Sequence, residues 1–260
     1  MTIGFIGAGK MAEGILSAIE DRKNVVMAEK VAERAAEMSR KYGVATTGDV
    51  KVVAKKAKLF FLAVRPQDVD AVAAAVKPIL TEKHTLVSIV AGKTLAKLRK
   101  AFGAKANLVR VMPNLALRAN AGMCAICPAA KTPAKDVKLV EKILGGAGAT
   151  VVLKEKDFDA VTALSGSGPA YFAYMEEAMV EGGVKLGLKP KVARLLAEQT
   201  MYGTAKFLRE SGMDLRPFIE GVCTKGGTTA AGMEKLDVPK FKQIVAATLA
   251  AAAKRSRELA

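Results

Sequence analysis

The chain opens on an apolar, strand-like run, Thr2 to Ile6. It leads into Gly7-Ala8-Gly9-Lys10-Met11-Ala12 and then into a helical pattern reaching about Glu20. Strand, G-x-G-x-x-A turn and helix in immediate succession leave few folds open. The first glycine permits the tight turn, the second lets a pyrophosphate approach bare backbone, and the small third residue lets helix and strand pack closely. The helix N-terminus faces the phosphates with its unpaired N–H groups. The pattern alone is common; its place at the first strand–helix junction is what points to a dinucleotide.

The alternation continues. "NVVMA" (Asn24 to Ala28), "GVATT", "KLFFLAV" (Lys58 to Val64), "HTLVSIV" (His84 to Val90) and "NLVRVM" (Asn107 to Met112) read as strands two to six. "AGMCAIC" and "ATVVL" follow, and helical stretches such as Val31 to Tyr42 lie between most of them. This order predicts an α/β fold with a doubly wound, mostly parallel sheet. Ligands of such sheets bind beyond the C-terminal strand ends. "AVRPQD" after strand four and "AGKT" after strand five are therefore expected to line the cofactor cleft.

Strand two ends in Ala28-Glu29-Lys30, with Arg34 one turn on. An acidic residue here binds ribose hydroxyls and favours NAD, whereas a basic one binds a 2′-phosphate and favours NADP. A third reading makes Glu29 a surface charge that opens the next helix. The residues leave NADPH and NADH both open.

After Leu153 the strand signals stop, which divides the sequence into a Rossmann dinucleotide-binding domain, 1–154, and a helical domain, 155–260. Ser165-Gly166-Ser167-Gly168 leads to Pro169, a helix start signal. Helices are expected from Pro169, over Lys191 to Arg209, and over Pro239 to Leu259. Their broad apolar faces predict packing onto another subunit, because a small helical domain alone buries little of its surface. In "CTKGGTTAAG", Gly226 and Gly227 precede a helix whose N-cap is expected at Thr228 or Thr229. Bare backbone, the hydroxyls of Thr224, Thr228 and Thr229, and the charge of Lys225 suit a carboxylate. A well-capped helix after a turn explains the threonines equally well.

Composition removes other classes. Half of the 260 residues are hydrophobic (51%), which is enough for a real core. The net charge of +16 is spread along the chain without basic blocks or interleaved aromatics. It reads as solvated helix faces that attract small anions, not as a nucleic-acid surface. Cys124 and Cys127 have C-x-x-C spacing, but on a strand such positions point to opposite faces. The lone histidine, His84, lies outside the motifs, so no metal site is expected. The N-terminus lacks the regions of a signal peptide, and no run reaches the ~18 apolar residues of a membrane span. A soluble, cytoplasmic protein without a membrane partner is expected.

"GFIGAGKMAEGI", "LAVRPQD", "SIVAGKT", "RVMPN", "ALSGSGPAYF", "EGGVKLGL" and "KGGTTAAGMEKL" fall in one order along nearly the whole chain. Together they resemble the pyrroline-5-carboxylate reductases, which catalyse the last step of proline synthesis. The resemblance implies a Rossmann domain and an all-α dimerisation domain, with intertwined C-terminal helices building each active site from two subunits. It also implies a homodimer at minimum, with dimers often assembled into rings. Gly7, Ala8, Gly9, Lys10 and Met11 would bind the pyrophosphate. Val64, Arg65, Pro66 and Gln67, with Ala91 and Gly92, would line the cleft. Met112, Pro113 and Asn114 would lie near the nicotinamide. Thr224 and the backbone of Gly226, Gly227 and Thr228 would hold the substrate carboxylate, and Thr229 the ring nitrogen. Ser167, Gly168 and Pro169 would sit near the reacting ring. The implied reaction is NAD(P)H-dependent reduction of a small anionic cyclic imino acid. Alternatives are a reductase of another cyclic imino acid and a non-catalytic nucleotide-binding regulator. The chain departs from the family at Leu115-Ala116, often Thr-Pro, at Lys225, often Pro, and at Glu29, where polar or basic residues are usual.

Overall fold

The computed structural model describes residues 1–259. Eight strands form one sheet: β1 (Ile3–Ile6), β2 (Val25–Ala28), β3 (Ala45–Thr47), β4 (Leu59–Leu62), β5 (Thr85–Ser88), β6 (Asn107–Pro113), β7 (Gly122–Pro128) and β8 (Gly148–Val152). Their order is β3-β2-β1-β4-β5-β6-β7-β8, and all neighbours are parallel except the antiparallel pair β6–β7. β1 pairs with β2 on one side and β4 on the other, so the strand order reverses beside it. A crevice opens at such a reversal.

The first helices are α1 (Lys10–Ser17), α2 (Ala32–Tyr42), α3 (Val50–Lys56), α4 (Val69–Val76), α5 (Leu95–Phe102), α6 (Ala134–Gly145) and the short α7 (Phe158–Val161). Strand alternation sends Phe5, Met27, Phe61 and Val87 into one core layer. It sends Ile6, Val26, Phe60 and Leu86 into the other. β2, β4 and β5 are buried at every position, as parallel strands covered on both faces must be. Cys124 joins the first layer and Cys127 packs with Phe158 in a separate cluster, so their sulfurs diverge. Burial pushes the Cys124 thiol up to about 12.

α1 stops at Ser17, short of the expected Glu20. Ala18 and Ile19 donate to carbonyls three residues back, and Arg22 donates to the carbonyls of Leu16 and Ser17. The side chain thus ends the helix by satisfying its orphan acceptors. α2 ends where expected, because Gly43 adopts φ 69° and closes the last turn onto Ser39.

Contacts divide the chain into two compact units. The first is Met1–Ser167 with the chain end from Ala252; the second is Gly168–Ala251. Glu155 and Phe158 belong to the first unit for physical reasons. Glu155 Oε1 accepts from the Leu95 amide at 2.7 Å and from Arg110 Nη1 at 2.9 Å, and Arg110 lies over the Phe158 ring. In the same unit, Ser256 Oγ donates to Asp159 at 2.7 Å.

The second unit holds α8 (Gly168–Lys185), α9 (Pro190–Ser211), α10 (Leu215–Val222), α11 (Thr228–Leu236) and the larger part of α12 (Pro239–Leu259). α8 and α9 approach closely where Gly183 meets Ala193. Within Gly168–Ala251 the buried apolar side chains are Ala193 and Ala197. Phe172, Leu186, Leu195 and Tyr202 are exposed on the single chain. No described helix is long and apolar enough to cross a membrane.

Candidate active site

The crevice beside β1 is a cavity of about 670 Å³. It is lined by Gly7, Ala8 and Gly9 after β1, by Glu29 and Lys30 after β2, and by Val64 and Arg65 after β4. The two glycines of the first loop differ in what requires them. Gly7 has φ 96°, and a Cβ there would lie 2.5 Å from the Ala63 carbonyl oxygen. The turn itself therefore demands Gly7. At Gly9 the nearest atom to an added Cβ is 4.0 Å away, so bare backbone faces open space. Gly9 also caps α1 without any side-chain hydrogen bond. An uncapped helix start behind a bare glycine fits the pyrophosphate of a dinucleotide.

Glu29 is half-buried at this loop. Its Oε2 accepts the Ala8 amide N–H at 2.9 Å, and its Oε1 accepts that of Val31 at 3.0 Å. Arg34 Nε donates to the Ala8 carbonyl at 2.8 Å, so both polar groups of the Ala8 peptide are held. Lys30 and Arg65 each reach Asp68 at 3.1 Å. The Lys30 ammonium, then Arg65, holds the Asp68 carboxyl below its usual range.

Gly48, Asp49 and Val50 also line the cavity and were not anticipated. They follow β3, which pairs with β2. The usual strand order of this fold, 3-2-1-4, is the signal that could have found them. Lys10, Met11, Pro66 and Gln67 continue from lining residues but do not line the cavity themselves, nor do Ala91 and Gly92. Gly92, at φ 70°, instead lies against the Leu259 carbonyl, where an added Cβ would sit 2.7 Å from the oxygen.

Two motifs some fifty residues apart in sequence meet at the end of β6. Met112 packs against Gly166 so closely that an added Cβ would lie 2.5 Å from its terminal methyl. Asn114 Oδ1 accepts the Met123 amide at 3.1 Å, and its Nδ2 donates to Ser165 Oγ at 3.4 Å. Thr162–Gly166 is π-helical, closed by the Ser167 amide onto the Thr162 carbonyl at 2.8 Å. Single π turns recur at functional sites because they redirect a helix without ending it. Pro113 ends β6, and Gly168 and Pro169 begin α8.

In the second unit, the Gly227 amide donates to the Thr224 carbonyl at 2.9 Å and closes a turn. Gly226 takes φ 71° within it. A Cβ on Gly227 would lie 2.5 Å from Thr224 Oγ1. The expected cap at Thr228 or Thr229 is corrected. Gly227 is the N-cap of α11, in extended geometry and with no side-chain cap. A glycine cannot satisfy the first-turn N–H groups, so they stay available, and Thr228 and Thr229 become the first helical residues. Lys225 is exposed beside them. The turn therefore offers bare donors at a helix start, an arrangement suited to an anion.

His84 has a structural role. Its Nδ1 accepts from the Thr81 amide at 3.0 Å, which places the proton on Nε2, 3.0 Å from the Ala54 carbonyl. Burial lowers its pKa and keeps it neutral.

Comparison with known proteins bears on this geometry. Residues 155–259 match the family described as pyrroline-5-carboxylate reductase dimerisation, and residues 2–92 match NADP oxidoreductase, coenzyme F420-dependent. A pyrroline-5-carboxylate reductase of Pisum sativum is 35% identical over 99% of this chain and 96% of its own length. One from Synechocystis is 34% identical over 99% and 97%. The solved structure of a pyrroline-5-carboxylate reductase from Coxiella burnetii is 30% identical, with a TM-score of 0.96 over 100% of this chain and 98% of that one. A pyrroline carboxylate reductase from Plasmodium falciparum, solved with NADP bound, has a TM-score of 0.87 at 28% identity over 100% and 98%.

Proposed function

The chain belongs to the pyrroline-5-carboxylate reductase family, and from that premise we propose how its residues carry out the reaction. The reaction is NAD(P)H-dependent reduction of Δ1-pyrroline-5-carboxylate to L-proline, the last step of proline biosynthesis. A bound reduced nicotinamide dinucleotide supplies the hydride.

Gly9 and the start of α1 hold the pyrophosphate, and Met112, Pro113 and Asn114 with Ser167, Gly168 and Pro169 shape the surroundings of the reacting rings. The turn from Thr224 to Thr228 grips the substrate carboxylate through backbone N–H groups, the Thr224 hydroxyl and the Lys225 charge. Thr229 hydrogen-bonds the ring nitrogen. A ketone reductase needs a side-chain acid because an alkoxide forms. An imine nitrogen takes up its proton before reduction, so orientation and a hydrogen-bond partner suffice. That chemistry suits a chain whose histidine is committed to structure.

The observation that carries this reading is the Thr224–Gly227 turn. Gly226 takes a positive φ that favours glycine, a Cβ on Gly227 would crowd Thr224 Oγ1, and the turn opens α11 with no side-chain cap. Lys225, where relatives often carry proline, favours a second reading in which a related cyclic imino acid is the substrate. The exposed apolar helix faces of the second unit support a homo-oligomer, with a dimer as its smallest form and rings of dimers as the larger one. The reading carries with it a cytoplasmic enzyme with no nucleic-acid or membrane partner.

The test is the initial rate of NADH and NADPH oxidation with Δ1-pyrroline-5-carboxylate and with six-membered and sulfur-containing analogues. Turnover fastest with the five-membered imine supports the reading. No imine-dependent oxidation by folded, oligomeric protein would overturn it.

A further inference from the structure

We propose that Glu29 sets the dinucleotide preference of this chain, and sets it to NADH; the inference rests on the reductase reading and deepens it. Both Glu29 oxygens are anchored, one on the Ala8 amide at 2.9 Å and one on the Val31 amide at 3.0 Å. The carboxylate therefore stands fixed at the cavity wall where β2 ends. An ionised carboxylate has about four acceptor positions, so two remain after the two amides. They match the two hydroxyl donors of an unmodified adenosine ribose. A 2′-phosphate would replace one of those donors with an anion and set it against a carboxylate that cannot retreat.

The basic groups at this end of the cavity already face carboxylates, Arg34 in a half-buried network and Lys30 and Arg65 at the exposed rim. Arg34 donates from Nε to the Ala8 carbonyl, from Nη1 to Glu37 at 2.8 Å and from Nη2 to Glu13 at 2.6 Å. Lys30 and Arg65 share Asp68, each at 3.1 Å. Asp49, also on the cavity wall, adds a third carboxylate to Glu29 and Asp68. The lining acids outnumber the lining bases, and a second phosphate on the adenosine side meets a net negative field.

Equilibrium binding of NADH and of NADPH to the purified full-length chain, without imine, tests this. Nicotinamide fluorescence reads it cleanly in a protein without tryptophan. The wild type is expected to bind NADH about tenfold more tightly or better, the scale of one charge-assisted hydrogen bond. In Glu29→Gln the amide oxygen still accepts one backbone N–H while the charge is gone. NADPH should then bind more tightly and NADH more weakly, so the ratio falls about tenfold. Asp68→Asn, which frees Lys30 and Arg65 without touching the loop, should tighten NADPH alone. Equal affinities in the wild type, tighter NADPH, or an unchanged ratio in Glu29→Gln would overturn the inference. Turnover of the imine with equal affinities sinks this inference and leaves the reductase reading standing. A clear NADH preference without imine-dependent oxidation does the reverse.

Discussion

Nη2 of Arg34 lies 2.6 Å from Oε2 of Glu13, joining α2 to α1 directly behind the dinucleotide loop. The other Glu13 oxygen accepts from Lys41 Nζ at 2.7 Å and from the Tyr42 hydroxyl at 2.9 Å. Arg34, then Lys41, holds the Glu13 carboxyl well below its ordinary 4.5, at about 2. A folded value below the unfolded one means that the contribution to stability is present above about pH 4.5 and is lost as pH falls toward 2. Its size is roughly 3 kcal/mol at neutral pH. Glu13→Gln should destabilise the protein by up to that amount at pH 7 in urea unfolding. The gap from wild type should close near pH 2. A gap of constant size across that range would show that packing, not charge, is what the substitution removes.

Gly7 and Gly9 should separate folding from binding. Gly7→Ala places a methyl 2.5 Å from the Ala63 carbonyl at a positive φ, and is expected to cost about 1–3 kcal/mol in thermal or urea unfolding. Gly9→Ala meets nothing nearer than 4.0 Å. It should leave Tm within a degree or two of wild type while weakening dinucleotide binding about tenfold or more. Matching losses of stability in both variants would remove the pyrophosphate role from Gly9.

Thr229→Val keeps shape and deletes the hydroxyl. On the mechanism proposed, kcat/KM for the imine should fall about 10²-fold, the scale of losing one transition-state hydrogen bond, with dinucleotide affinity unchanged. An unaltered kcat/KM would return Thr229 to the ordinary first turn of α11.

Lys225→Met should act differently. If the ammonium only strengthens capture of the carboxylate, KM rises several-fold while kcat changes little. A rise in KM for pyrroline-5-carboxylate paired with a fall for a larger ring would make Lys225 a determinant of substrate size.

The single chain leaves Phe172, Leu195 and Tyr202 in water, with Ala193 and Ala197 its buried apolar side chains between Gly168 and Ala251. Association should supply the missing burial, so Tm is expected to rise with protein concentration. Sedimentation at micromolar concentration should find dimers or larger. A concentration-independent Tm with a monomeric species would mean that this unit is stable by itself.

Much of the fold was legible in local pattern. "TIGFI", "KLFFLAV" and the glycines between strand and helix announce a Rossmann sheet, because short apolar runs and a positive-φ glycine act over a few residues. Helix ends were legible only where the terminating group is local. Gly43 closes α2 as its sequence suggests, whereas α1 ends at Ser17 because the guanidinium of Arg22 folds back onto carbonyls five and six residues away.

The sequence by itself singled out the segments proposed to carry the chemistry: the first glycine loop, the end of strand two, "RVMPN", "SGSGP" and the Thr224–Thr229 turn. Tertiary structure decided how the residues within them are held. Gly7 serves the turn while Gly9 faces the cavity. Gly227 rather than a threonine caps α11. Glu29 is no loose surface charge, because one of its oxygens binds the Ala8 amide, 21 residues away in the chain, while the other binds the Val31 amide at the start of α2. Local rules fix backbone conformation within a few residues. Hydrogen-bond partners across that separation are chosen only when strands pair and the register places a carboxylate beside a loop.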